Sequence, residues 1–326
     1  MTGLRPTLGG KANATGKGPP VRIFVAVVLL VVAWSRIDPA AVANAISHAA
    51  AGPLLVSFLV LVAERFVTIA KWLVLLEARG WKRPRSEAML IYWSNNFVGL
   101  FLPTGLGLDV LNAFRTHRAG MRLADATSVV TVDRVLSLVS LAGVVTVAWL
   151  LATDLKGELT GAVIALGAAI VAVAFIATLP WQTRILTTLS RFGTGEKIAL
   201  RLASFHESVV SFRHDRWALS LSFLLSVVAQ LLRVLEVAVM AHAFGPGLGW
   251  RKAMVVVPAA NAVTALPISI GGGLGLRENA YLYLFPRVGV SENDAMALSV
   301  LVFAWVVIWV LPGGLLAFAR RSMPSA

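Results

Sequence analysis

Leu266-Pro267-Ile268-Ser269-Ile270-Gly271-Gly272-Gly273-Leu274-Gly275-Leu276-Arg277-Glu278 closes an apolar stretch, 253–267, that is too short to cross a bilayer. An earlier short stretch, 88–103, ends alike in Leu102-Pro103-Thr104-Gly105-Leu106-Gly107. A full helical span needs about 20 apolar residues. A helix broken by Pro and Gly persists at membrane depth only where protein or a wet cavity satisfies its freed backbone groups. Both stretches therefore read as re-entrant hairpins. Their glycines (Gly105 and Gly107; Gly271, Gly272, Gly273 and Gly275) let backbone approach a ligand closely.

Working outward, longer apolar runs lie at about 23–36, 53–76, 125–152, 159–180, 217–243 and 293–318, six full spans in all. The reading is an all-α polytopic membrane protein of six helices and two hairpins. Composition agrees. The 326 residues are 58% apolar and only 14% charged, against roughly 25% charged in an average soluble domain. Disorder is excluded by the same figures. The absence of cysteine excludes disulfides, thiolate nucleophiles and cysteine-ligated metals. The net charge of +13 fits basic loops facing anionic lipid, not nucleic acid. With a cytoplasmic N-terminus, nineteen Lys and Arg fall on the inner side and five on the outer. That bias supports both termini inside, and counting either hairpin as a full span would spoil it. Residues 1–20 read as a disordered basic tail and 21–322 as a single integral membrane domain. Ala41-Val42-Ala43 would suit a signal peptidase, but the topology needs no cleavage, so the first helix reads as uncleaved. Bases alternating with apolar positions over 184–213 predict an amphipathic helix on the cytoplasmic leaflet.

The chain repeats itself. Arg118-x-Gly120-x4-Asp125-Ala126 recurs as Arg287-x-Gly289-x4-Asp294-Ala295, and Ala88-Met89 … Asn96 … Leu102-Pro103 recurs as Ala253-Met254 … Asn261 … Leu266-Pro267. The halves are about 53–152 and 217–318. Three spans between the hairpins make the repeat inverted, a plan common in secondary transporters, whose broken helices meet at a substrate site near the midplane.

Ionisable residues at membrane depth are expensive, so they are functional candidates. Glu64, Thr68 and Lys71 share one helical face, with Arg65 beside them. Ser226, Gln230 and Arg233 share another, with Glu236 one turn on. Asp133, Ser137 and Ser140 form a third, with Arg134 adjacent. These faces are expected to converge on one cavity, the alternative being internal pairing such as Arg233 with Glu236. In the second hairpin, free N–H groups at a helix start attract anions, and Arg277, next to Glu278, adds a fork suited to phosphate. In the first, Asp109 either meets a cation or caps a helix over 110–118. The five histidines are scattered, and no HExxH, GxSxG, kinase or Walker pattern occurs. The sequence thus points to no catalytic residue, metal or cofactor, and to transport that is downhill or ion-coupled.

At these residues the chain resembles the transmembrane, flippase-like domain of lysylphosphatidylglycerol synthetases and its stand-alone relatives. The motifs are Asn95-Asn96 … Leu102-Pro103 … Gly107-Leu108-Asp109-Val110-Leu111 … Arg118-x-Gly120, then Val132-Asp133-Arg134-Val135, then Leu266-Pro267 … Gly272-Gly273-Leu274-Gly275-Leu276-Arg277-Glu278 with Gly289 and Ala295. They span about 55–318, and the Gly-Gly-x-Gly-x-Arg-Glu segment is the most specific. Asn112 stands where relatives often carry Arg, Asp133 where many have Glu, and Trp305 where a basic residue is common. These departures bear on the headgroup, not the fold. The resemblance implies translocation of an anionic, aminoacylated or isoprenoid-linked lipid across a bacterial inner membrane. It implies no enzyme, since the aminoacyl-transfer domain of the two-part proteins is a separate soluble region. The substrate-binding set expected is Glu64, Arg65, Lys71, Asp109, Asp133, Arg134, Arg233, Glu236, Arg277 and Glu278. The rival readings are a secondary transporter of a small solute and an accessory protein of lipid or glycolipid biosynthesis. In the latter class, Asp109 with Asp133 is a conceivable acid–base pair. Expected partners are membrane lipids, with a separate lipid-modifying enzyme and a second copy of the chain as further candidates, and no nucleic acid.

Overall fold

The computed structural model describes residues 38–102, 105–151, 207–245, 247–264 and 273–321, with a few isolated positions before residue 38. The apolar runs 23–36 and 159–180, most of the amphipathic segment 184–213, and Pro103, Thr104 and 265–272, including Gly271 and Gly272, lie outside the described residues. Of the amphipathic segment, 207–211 are helical.

Among the described residues nine α-helices follow in order: α1 (Pro39–Ser47), α2 (Ala51–Ala78), α3 (Arg85–Gly99), α4 (Gly105–Arg118), α5 (Leu123–Leu151), α6 (Arg216–Ala241), α7 (Trp250–Thr264), α8 (Leu276–Leu284) and α9 (Glu292–Arg321). Four stretches are long and apolar enough to cross a membrane: Ala51–Ala78, Leu123–Leu150, Arg216–Phe244 and Glu292–Leu316. The shortest has 25 residues, which at 1.5 Å per residue reaches about 38 Å, beyond a hydrocarbon core of about 30 Å. Between them lie two pairs of shorter helices. α3 and α4 have 15 and 14 residues, and α7 and α8 have 15 and 9. Each half of the described chain is thus a long helix, a short pair and a second long helix.

Polarity is distributed inside out. On α2, Ser57, Glu64, Thr68 and Lys71 are buried, while Leu55, Leu59 and Phe66 are exposed. On α6, Ser222, Ser226 and Gln230 are buried, while Leu224 is exposed. In water such helices would bury their leucines. In hydrocarbon the backbone and side-chain polar groups turn inward and the leucines meet lipid.

α2 and α6 form the most extensive helix pair and sit at the centre. Small residues of α6 (Ala218, Ser222, Ser226, Ala229) are buried along its length and allow the close approach that drives helix association in lipid. Around this pair, the second long helix of each half packs on the first short helix of the other: α9 on α3, and α5 on α7. Pro312 lies inside α9 and Gly313 and Gly314 follow it. A Cβ on Gly314 would lie 2.6 Å from the Phe97 ring, and one on Gly313 would lie 2.8 Å from the Trp93 carbonyl oxygen. Only glycine lets α9 come this close to α3. Trp93 fills the resulting contact, stacking on Trp309 at 5.1 Å and donating Nε1–H to its carbonyl at 2.7 Å.

The repeated motif folds alike in both halves. Gly120 and Gly289 both have left-handed backbone, with φ of 105° and 91°. Gly120 N–H donates to His117 O at 2.9 Å and Met121 N–H to Thr116 O at 3.4 Å. Gly289 N–H donates to Pro286 O at 3.1 Å and Val290 N–H to Phe285 O at 3.2 Å. This is the paired bonding of a Schellman cap, which needs a residue free of Cβ strain at its centre. Arg83 Nε and Lys252 Nζ each lie 4.0 Å from where a Cβ on the respective glycine would stand.

Candidate functional site

A cavity of about 330 Å³ opens between the central pair and the short helices. Its lining brings together charged and polar side chains from four of the helices around it, Arg65 from α2, Arg134 from α5, Arg233 and Glu236 from α6, and Arg277 from α8, with Asn96, Asn261 and Thr264. The rest of the lining is largely aliphatic, including Leu100, Leu108, Val302, Val306 and Val310. The three polar faces read from the sequence do not all reach this space, and each contributes differently.

Glu64 does not line the cavity and has no exposed surface. Its Oε1 accepts from Arg233 Nη2 at 2.7 Å and Nε at 2.9 Å, and from Thr68 Oγ1 at 3.0 Å. Its Oε2 faces Arg65 Nε at 3.3 Å. One buried carboxylate therefore aims two guanidiniums from two helices at the cavity. Arg233 does not pair with Glu236, although Glu236 is one turn away; its partner is 169 residues distant in sequence. Glu236 itself is 5% exposed, and its Oε1 is enclosed with no hydrogen-bond partner.

Arg277 is buried between α8 and α9. Its Nε donates to Ser299 Oγ at 3.0 Å and its Nη2 to Glu278 Oε1 at 2.7 Å, and its guanidinium sits 5.1 Å over the Phe303 ring. Glu278 does not line the cavity. Its Oε2 accepts from Gly275 N–H at 2.6 Å, which satisfies a backbone donor at the start of α8. Glu278 thus fixes both the helix start and the arginine.

The structure places Asp109 elsewhere than at a helix cap. α4 begins at Gly105, earlier than the expected 110–118, because Gly105 and Gly107 are helical. Asp109 then lies inside the first turns and receives a bidentate fork from Arg134, Nε to Oδ2 at 2.7 Å and Nη2 to Oδ1 at 2.9 Å. Two-point pairing fixes a guanidinium in plane, which sets Arg134 at the cavity edge. Lys71 and Asp133 meet below the cavity: Lys71 Nζ is 2.9 Å from Asp133 Oδ1 and donates to Ser137 Oγ at 2.7 Å. Neither lines the cavity. Asp109 and Asp133 each hold a separate basic partner, an arrangement that does not suit a shared acid–base pair.

Sequence reasoning left four polar cavity residues out of the site, Asn96, Asn261, Thr264 and Tyr281. Asn96 and Asn261 were legible, since they occupy equivalent places in the repeat and are polar in apolar stretches. Thr264 and Tyr281 carried no such signal. Two of the positions that depart from relatives also lie off the cavity wall. Asn112 accepts from Asn95 at 2.7 Å, and Trp305 Nε1 donates to Ser57 at 2.9 Å.

No curated protein matches the chain. The model of the family described as "Lysylphosphatidylglycerol synthase TM region" matches residues 21–314. That match covers most of the chain and all the helices that build the cavity, and with four helices able to cross a bilayer the molecule is a membrane protein. The chain belongs to the lysylphosphatidylglycerol synthase transmembrane-region family.

Proposed function

We propose that this protein translocates an anionic, aminoacylated or isoprenoid-linked lipid across a bacterial inner membrane, acting as a transporter and not as an enzyme. The observation that carries the reading is a cavity lining that combines four guanidiniums with seven aliphatic side chains. A phosphodiester suits the first, because guanidinium forks match phosphate oxygens. Acyl or prenyl chains suit the second. A small polar solute would leave the seven aliphatic side chains of the lining without use.

In this reading α3 with α4, and α7 with α8, are re-entrant hairpins of an inverted repeat, entering from opposite leaflets with both termini cytoplasmic. The headgroup crosses along Arg65, Arg134, Arg233 and Arg277 while the tails remain in lipid. Lys71 and Asp133 brace the helices beneath. The shared plan of transporters with broken helices at the midplane supports this arrangement.

The test is a liposome assay with fluorescent headgroup-labelled lipids, quenching the outer leaflet chemically. Wild type is expected to expose inner-leaflet lipid. Arg277→Ala is expected to lose most of that rate while retaining wild-type helicity by circular dichroism. Full transport by Arg277→Ala would refute the phosphate-binding role. No movement of any lipid tested, including a polyprenyl phosphate, by folded wild type would refute lipid translocation.

A further inference from the structure

Among the described residues that line the cavity, Glu236 is the only carboxylate, and no described residue forms a salt bridge or hydrogen bond with it. It is 5% exposed, and its Oε1 is enclosed without a hydrogen-bond donor. An ionised carboxylate in such a place is costly unless a charge or several donors compensate it. The neighbouring elements offer no dedicated one. α2 presents Glu64 and Arg65 to this region and Lys71 below it, and Arg65 and Arg233 are both turned to Glu64. α5 presents Arg134, held by Asp109, and Asp133, held by Lys71. α8 presents Tyr281 and Arg277, the latter held by Glu278. α7 presents Asn261 and Thr264, α3 presents Asn96, and α9 presents Val302 and Val306.

The charge balance follows from these pairings. The four arginines of the cavity are matched by three carboxylates, Glu64, Asp109 and Glu278. With Glu236 protonated, the site holds one net positive charge. With Glu236 ionised, it holds none. A phosphodiester carries one negative charge, so it is complementary to the protonated site.

We propose that Glu236 is a proton-binding site linked to substrate capture, so that one proton enters with each anionic headgroup and leaves with it. The proposal rests on the lipid reading above and adds its coupling ion. The proton comes from water onto a Glu236 oxygen and returns to water on release; no other bond forms or breaks. By reciprocity, a bound phosphodiester strengthens the site's hold on the proton as much as the proton strengthens its hold on the phosphodiester.

The experiment titrates dihexanoyl phosphatidylglycerol into the full chain in detergent by calorimetry, first across roughly pH 5 to 10, then in buffers of different ionisation heat at a pH on the alkaline limb, where Glu236 of the free protein is ionised. Wild type is expected to take up close to one proton per lipid, and its affinity to fall about tenfold per pH unit on the alkaline side. Glu236→Gln is expected to bind with no proton uptake and no such pH slope, at an affinity close to the low-pH wild-type value. Wild-type binding without proton uptake, or an unchanged slope in Glu236→Gln, would overturn the coupling and leave the lipid reading intact. Failure of both proteins to bind dihexanoyl phosphatidylglycerol would overturn the coupling, and the liposome assay with a polyprenyl phosphate then decides the lipid reading separately. A wild-type preference for dihexanoyl phosphatidylethanolamine that Glu236→Gln loses would assign Glu236 to a headgroup ammonium and also overturn it.

Discussion

Replacing Arg233 with alanine strips Glu64 of its two shortest contacts, at 2.7 and 2.9 Å, and leaves it Thr68 at 3.0 Å and Arg65 at 3.3 Å. Glu64 has no exposed surface, so the lost contacts cannot be replaced from solvent without opening the helix pair. Breaking a buried ion pair from one side costs about 3–5 kcal/mol. A third of the Arg233 side chain remains open to the cavity, and Arg65 stays within reach of the carboxylate, so the lower end applies. The expected loss is about 3 kcal/mol, roughly a hundredfold in the folding equilibrium. The assay is reversible unfolding in mixed micelles of increasing dodecyl sulfate fraction, followed by tryptophan fluorescence. The double variant Glu64→Gln with Arg233→Met removes both charges and should lie within about 1 kcal/mol of wild type. A single-variant cost below about 1 kcal/mol, or no rescue in the double variant, would refute the argument that Glu64 is a buried charge held by Arg233.

Two further outcomes separate packing from surface electrostatics. Gly314→Ala puts a methyl 2.6 Å from the Phe97 ring and should destabilise by about 1–3 kcal/mol in the same titration; a second change, Phe97→Ala, should recover part of that loss, and no recovery would place the strain elsewhere. Asp109→Asn breaks a pair whose arginine is 44% exposed, so stability should change by less than about 1 kcal/mol while the liposome transport rate falls as Arg134 loses its orientation. A rate equal to wild type would remove Arg134 from the headgroup path.

Much of the architecture was legible because lipid imposes simple rules. Four of the expected spans coincide with long helices, and the two stretches ending in Leu-Pro and glycines form pairs of short ones. The repeat was readable from Gly120 and Gly289, which the Schellman caps demand. The polar faces of α2 and α6 were visible from spacing alone. Partner choice was not. Helical periodicity says that Arg233 and Glu236 are a turn apart, but only tertiary packing brings Glu64 nearer to Arg233 than Glu236 is. The same holds for Lys71 with Asp133 and for Arg134 with Asp109. The helix start at Gly105 was missed because glycine is a poor helix former, and here the packing of α4 on α3 and α5 overrides that preference.

The placement of Glu64 has a mechanical consequence. It belongs to the first half of the chain and its principal partner to the second, and both sit in the most extensive helix pair. Sliding or rotating α2 against α6 would drag a charged carboxylate away from its counter-ions into hydrocarbon. That pair is therefore the axle of the molecule. A working cycle of the proposed kind would have to leave this pair in place and move other helices against it.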